Sequence, residues 1–156
     1  MIYIDANVLY NYIFETDLTK HAIEVLNMPV PKMTSDTAIN EAIFTTLRKL
    51  AKEEYGITST RALKTALKSG KIDPAIIPRA YSYVKATMIS KNVITVPENV
   101  AWDEVIVLAE RYRLLPSDAR ILATAIANGA GGLATLDRDF ERATELIKLY
   151  PKSFWE

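Results

Sequence analysis

The 156 residues contain no cysteine, no glutamine and a single histidine, His21. Without cysteine there are no disulfides, zinc–thiolate centres or thiol nucleophiles. A Ser-His-Asp triad would depend wholly on His21, which falls on an amphipathic stretch as a surface or boundary residue. No Gly-x-Ser-x-Gly elbow is present to display a serine. Glycine is scarce, five in all. Its one cluster, Gly129-Ala130-Gly131-Gly132, belongs to neither a GxGxxG nor a GKS/T phosphate cradle. Asp5-Ala6-Asn7 lacks the second aspartate of an aspartyl-phosphate phosphatase. No run approaches the roughly 18–20 apolar residues of a membrane span. The start, Met1-Ile2-Tyr3-Ile4-Asp5, has no basic region of the kind a signal peptide carries. A cytoplasmic protein without membrane contact is expected. Missing Cys and Gln beside abundant Ile and Tyr is also a pattern of thermophilic chains.

What is present is globular. Hydrophobic residues make up 49% and charged residues 24%, enough for one domain with a real core. Formal net charge is zero, but it is unevenly spread. Between Arg48 and Lys91, ten basic residues are opposed only by Glu53, Glu54 and Asp73, a net +7; the rest of the chain is therefore −7. The simplest reading is a solvated, lysine-rich helical surface. A basic segment on an acidic body also suits an enzyme that grips phosphates in one place and holds metal ions in another.

Strands and helices alternate. Ile2-Tyr3-Ile4 reads as a buried strand, with Asp5 where it gives way to a helix carrying Val8, Leu9, Tyr12 and Ile13. Asp17 is placed to cap a second helix through Ala22, Ile23 and Leu26. Lys32–Thr34 is a second strand, and Ser35 or Asp36 caps a long helix ended by Gly56, with Glu41 inside it. Helices follow over Thr58–Ser69 and from Pro74 towards Ser90. Val93–Val96 is a strand, and the next helix sets Trp102, Val105, Ile106, Ala109 and Tyr112 on one face. Pro116 opens another helix, which puts Asp118 in its first, electropositive turn. Leu133–Thr135 is a strand, Asp137–Phe140 opens a helix, and Ile147–Leu149 is a last short strand. This alternation predicts an α/β fold with a mainly parallel sheet. In such sheets sites form beyond the carboxyl ends of the strands. Asp5, Asp118 and Asp137 are thereby expected on one rim.

Each acid has a plainer reading as a helix cap or a first-turn charge. Together they need another explanation. Two carboxylates about 5 Å apart repel by roughly 3 kcal/mol at an effective dielectric of ~20. Hard divalent ions relieve such repulsion, because Mg²⁺ and Mn²⁺ prefer oxygen ligands.

The residues also resemble a family. Ile4-Asp5-Ala6-Asn7-Val8-Leu9 is similar to the opening of PIN domains, and Asn40-Glu41 falls at that family's helical glutamate. Pro116-Ser117-Asp118-Ala119 resembles its third motif, and Thr135-Leu136-Asp137-Arg138-Asp139-Phe140 its fourth. The resemblance spans nearly the whole chain, in order. It implies one PIN domain over residues 1–156 and a Mg²⁺- or Mn²⁺-dependent ribonuclease, most similar to the toxin of a VapBC-type toxin–antitoxin pair. Asp5, Glu41, Asp118 and Asp137 would be its acidic quartet, with Asp139 a further or substitute metal ligand. Asn7, Ser117 and Thr135 would be supporting polar residues. RNA would be the substrate, an antitoxin the partner and a homodimer the assembly. The segment between Glu41 and Asp118 is longer than in compact toxins. It is expected to form an RNA-gripping or dimer-forming helical clip at about 48–91, from which Lys64, Lys68 and Lys71 would contact phosphates. The competing reading is a non-catalytic PIN module that binds RNA or protein. All four acids are present, which favours the enzyme.

Overall fold

A computed structural model describes residues 1–156. Five strands, β1 (Ile2–Ile4), β2 (Lys32–Thr34), β3 (Val93–Thr95), β4 (Gly132–Ala134) and β5 (Lys148–Tyr150), form one sheet. Its order is β3-β2-β1-β4-β5 and every pairing is parallel. β1, β2 and β4 are buried throughout, as expected of strands covered on both faces. Gly132 has no room for a side chain, because a Cβ would collide with the Tyr150 ring on the neighbouring strand.

The helices are α1 (Ala6–Ile13), α2 (Thr19–Leu26), α3 (Asp36–Tyr55), α4 (Thr60–Ser69), α5 (Ile76–Ser90), α6 (Trp102–Tyr112), α7 (Pro116–Ala127) and α8 (Lys152–Trp155). None is long and apolar enough to cross a membrane. The main core joins the strands to α1, α2 and α7, with Tyr3, Leu9, Met33, Ile121, Leu122 and Phe140 fully enclosed. A second, smaller core lies apart from it. There Leu47, Leu50 and Ala51 of α3 pack with Leu63, Ala66, Ile76 and Ala80 of α4 and α5. Residues 48–91 thus carry apolar packing of their own beneath the basic surface. Gly56 and Gly70 end α3 and α4 in the left-handed region, at φ of 69° and 76°.

Several local expectations fail for identifiable reasons. Asp17 caps nothing. α2 starts at Thr19 without a side-chain cap on its N–H groups, and the preceding turn is closed by Thr16 and Thr19, whose hydroxyls accept from Leu18 N and Thr16 N. Ser35 sits at the N-cap of α3 but does not accept a helix N–H. Its hydroxyl donates to Glu98 (2.6 Å), and the same carboxylate accepts the Thr37 N–H (2.9 Å) and the Thr37 hydroxyl (2.9 Å). A charged acceptor from a distant loop displaces the local cap, since charge-assisted bonds are the stronger ones. On α6, Trp102 and Ile106 are exposed while Val105 and Tyr112 are buried. The Trp102 ring instead lies 4.7 Å from the guanidinium of Arg120, which itself pairs with Glu98 (3.3 Å). The segment from Asp137 forms a 3-10 helix, Arg138–Ala143, rather than an α-helix.

Glu98 therefore holds the start of the helix that bears Glu41. Its carboxyl titrates below the usual range: partial burial pushes upward, but the bonds from Ser35, Thr37 and Arg120 prevail. Glu98→Ala is expected to cost about 3 kcal/mol, because it leaves a charged partner and an N–H unsatisfied. That corresponds to roughly 6–12 °C in melting temperature for a domain of this size. Thermal melts check it; a loss below 1 °C would show that water replaces these bonds at no cost.

Candidate active site

Asp5 follows β1 and Asp137 follows β4, neighbours at the centre of the sheet. The strand order reverses there: the chain goes to β2 on one side of β1 and to β4 on the other. This is the crevice where open parallel sheets bind ligands. Both aspartates also fulfil their plainer roles. Asp5 Oδ1 accepts from Ala6 N (2.7 Å) at the start of α1, and Asp137 Oδ1 accepts from Asp139 N (2.9 Å). Capping and clustering are thus compatible, since each carboxylate has lone pairs to spare.

The rest of the site is stitched across the two strands. Asn7 accepts from Leu136 N (2.9 Å) and donates to Asp5 Oδ2 (3.2 Å) and Thr135 Oγ1 (3.1 Å). Thr135 donates to Asp5 Oδ2 (2.8 Å) and accepts from Asp137 N (3.1 Å). Behind it, the Trp155 indole donates to Thr135 O (3.0 Å), so α8 braces the loop that carries Asp137. α3 contributes Glu41 and α7 contributes Asp118 from its first turn. Asp5, Glu41, Asp118 and Asp137 line one cleft of about 210 Å³, together with Asn7, Tyr10, Phe44 and Thr45. Ser117 is exposed beside it. His21 is bonded to Ser153 instead (2.7 Å) and is no part of the cleft.

The acids strain against one another. Burial pushes the Asp5 carboxyl up to about 7, aided by the charges of Glu41 and Asp118 and opposed by the bonds from Thr135 and Ala6. Asp118 rises to about 6, first by burial and then by Asp137, Glu41 and Asp139. Glu41 is raised too, by burial and by Asp137, with Ser117 acting in the other direction. The Tyr10 hydroxyl is raised by burial and by three of these acids.

Oxygens of Asp118, Asp137 and Asp139 lie within 4.8 Å of one another, close enough to share one cation. Asp118 and Asp137 thus belong to both groupings, the cleft and the tight triad. Asp139 is exposed, lies outside the cleft lining and pairs with Arg142 (3.8 Å). Lys64, Lys68 and Lys71 are all exposed and none lines this cleft. No sequence pattern singles out Tyr10, Glu98, Arg120 or Trp155. Arg120 follows Asp118 by two residues, and that proximity was the one signal available.

The PIN domain family model matches residues 2–146. The chain belongs to the PIN-domain family. Solved structures with this PIN fold include VapBC2 from Rickettsia felis, bound to a DNA fragment from its promoter, at 17% identity. The match covers 96% of this chain and 98% of that one, with a TM-score of 0.59. VapC20 of Mycobacterium tuberculosis, a toxin that cleaves the sarcin–ricin loop, is 19% identical. It covers 97% of this PIN domain and 100% of its own chain, with a TM-score of 0.60. No curated protein matches the sequence.

Proposed function

We propose that this PIN domain is a metal-dependent endoribonuclease, the toxin of a VapBC-type pair, with Asp5, Glu41, Asp118 and Asp137 as its catalytic carboxylates. The observation that carries the reading is the convergence of these four acids, from four separate elements, on one cleft in which burial and neighbouring charges hinder the ionisation of Asp5, Glu41 and Asp118. A fold does not retain such a cluster for stability. The donor set is entirely carboxylate oxygen, with no nitrogen or sulfur, which suits Mg²⁺ or Mn²⁺. Asp118 and Asp137 would be the principal ligands, with Asp5 and Glu41 completing the charge and Asp139 adding an outer oxygen. A bound divalent ion would supply an activated water and neutralise charge on the phosphodiester.

The chain's own residues do the positioning. Asn7 and Thr135 fix Asp5 Oδ2 and tie its strand to the Asp137 loop. Asp5 Oδ1 keeps a lone pair free after capping α1. The first turn of α7 presents Asp118 where the helix dipole favours negative charge. RNA as the substrate is supported by the fold shared with VapC20, and an antitoxin partner by the VapBC2 complex. Residues 1–156 would act as one PIN domain with a helical clip at about 48–91, and a homodimer is the assembly to test. Incubation with structured and unpaired RNA, in Mg²⁺, in Mn²⁺ and in excess chelator, tests the activity. Cleavage confined to the metal arms is the expected result. Full activity in chelator, or no cleavage in any arm, would overturn it.

A further inference from the structure

An acidic cleft repels the polyanion it is meant to cut, so the strand must be held by cations nearby. The surface next to the cleft supplies them on one helix. Glu41, Phe44 with Thr45, Arg48 with Lys49, and Lys52 recur on α3 at three- and four-residue spacing, which places them along one face. From Glu41 to Lys52 the helix rises roughly 16 Å. A hollow of about 260 Å³ shares Phe44 and Thr45 with the acidic cleft and adds Arg48, Lys49 and Lys52. A third hollow meets it at Ile57 and brings Arg61 and Lys71. No carboxylate lines either hollow.

The cations on this path face no counter-charge; Arg48 donates only to the Thr58 carbonyl (3.3 Å). Arg48, Lys49 and Lys52 form no ion pair. Arg48 lies 5.9 Å from the Phe44 ring centre and Lys49 lies 5.2 Å from that of Phe14, so both are held near aromatic faces. Phe44 is 40% exposed at the boundary between the acidic and basic hollows. An aromatic ring left open there can take the face of a nucleobase, and only a base free of its own stack can lie on it.

We propose that the α3 face beyond Glu41 is the substrate track, on which an unpaired RNA segment stacks one base on Phe44 and sets its phosphates against Arg48, Lys49 and Lys52. The proposal rests on the nuclease reading of the adjacent cleft and names the substrate class of that site. Lys71 and Arg61 continue the track, whereas Lys64 and Lys68 stand off it.

The test uses the full chain and a fluorescent, unstructured RNA oligonucleotide. Binding is followed by anisotropy across salt, and cleavage in Mg²⁺ by KM and kcat. The variants are Phe44→Ala, the triple Arg48→Gln/Lys49→Gln/Lys52→Gln, and the pair Lys64→Gln/Lys68→Gln, each with a melting curve to verify folding. The triple variant should weaken binding at least tenfold and lower the log–log salt slope by about two, since each single-strand phosphate contact contributes ~0.7. Phe44→Ala should weaken it about tenfold with the slope unchanged. Both should raise KM and leave kcat near wild type. The same sequence closed into a duplex should bind more weakly and lose its sensitivity to Phe44. If the wild type cleaves RNA but the folded α3 variants bind as it does, or the loss moves to the Lys64/Lys68 pair, the track is wrong and the nuclease reading stands. If the wild type binds through α3 but cleaves nothing in any metal, the track stands and the nuclease reading falls.

Discussion

Asp118→Asn is expected to lower metal-dependent RNA cleavage by roughly 10²–10³-fold while the protein stays folded. Asparagine keeps the shape of the side chain and removes its charge. Asp118 belongs both to the four-acid cleft and to the triad of oxygens within 4.8 Å, so a cation held by either grouping is expected to engage it. The loss of a group that stabilises charge directly at the reacting centre is of this order. Asp137→Asn should behave alike. Asp139→Asn should cost far less, because Asp139 is exposed and already paired with Arg142. Steady-state cleavage by the three variants, at saturating Mg²⁺, reads the ranking. Unchanged rates in Asp118→Asn would remove the metal site from the mechanism. A collapse in Asp139→Asn equal to the others would instead make the tight triad the working ligand set, at the expense of Asp5 and Glu41.

In the metal-free protein, the melting temperature should fall by roughly 10 °C as pH rises from 5 to 8. Asp5 and Asp118 titrate near 7 and 6 in the folded chain, above an ordinary value of 3.8. The folded state therefore keeps protons that the unfolded chain has already released. Their stabilising effect is complete below about pH 4 and is lost as pH climbs through 6 and 7. Glu98, whose folded value is depressed, works in the opposite sense but at pH values below its ordinary 4.5, outside this window. The loss amounts to a few kcal/mol, and a domain of this length shifts roughly 2–4 °C per kcal/mol.

Metal binding should reverse the trend. It releases the site's protons and favours the folded state, so saturating Mg²⁺ should raise the melting temperature much more at pH 8 than at pH 5.5. Asp118→Asn should flatten both dependences, since its shift comes from burial and neighbouring carboxylates with no hydrogen bond to lose. Asp5→Asn is the less clean probe. Its amide would meet Asn7 Nδ2 donor to donor, and part of the gain from lost repulsion would disappear. A melting temperature flat from pH 5 to 8, or an equal Mg²⁺ shift at both pH values, would show that the four acids do not couple through a shared cation.

Local chemistry made much of this site legible in the sequence. A short β-branched run followed by Asp5 and an apolar helix places that carboxylate at a strand end. Pro116 places Asp118 in a first turn by its fixed φ, and Gly56 ends the long helix that holds Glu41. Such signals act over a few residues and survive without tertiary context. The Asp17 cap failed because two threonine hydroxyls closed the turn first. Of the apolar face expected on α6, Val105, Ala109 and Tyr112 meet the core, whereas Trp102 covers Arg120 instead.

The sequence by itself determined the alternation of strands and helices, the positions of Asp5, Glu41, Asp118 and Asp137 along the chain, and the +7 segment between Arg48 and Lys91. Tertiary structure alone decided the rest. It set β1 beside β4, so that residues 132 apart in sequence share one crevice. It brought Glu98 across to hold α3, paired Arg142 with Asp139, and set Asp137 in the cleft lining. It also set the basic residues of α3 in a hollow that adjoins the acidic cleft at Phe44 and Thr45. The reason is range: caps, turns and periodicity are settled by neighbours in the chain, whereas repulsion among carboxylates, and the burial that amplifies it, exists only once the sheet has closed the distance between them.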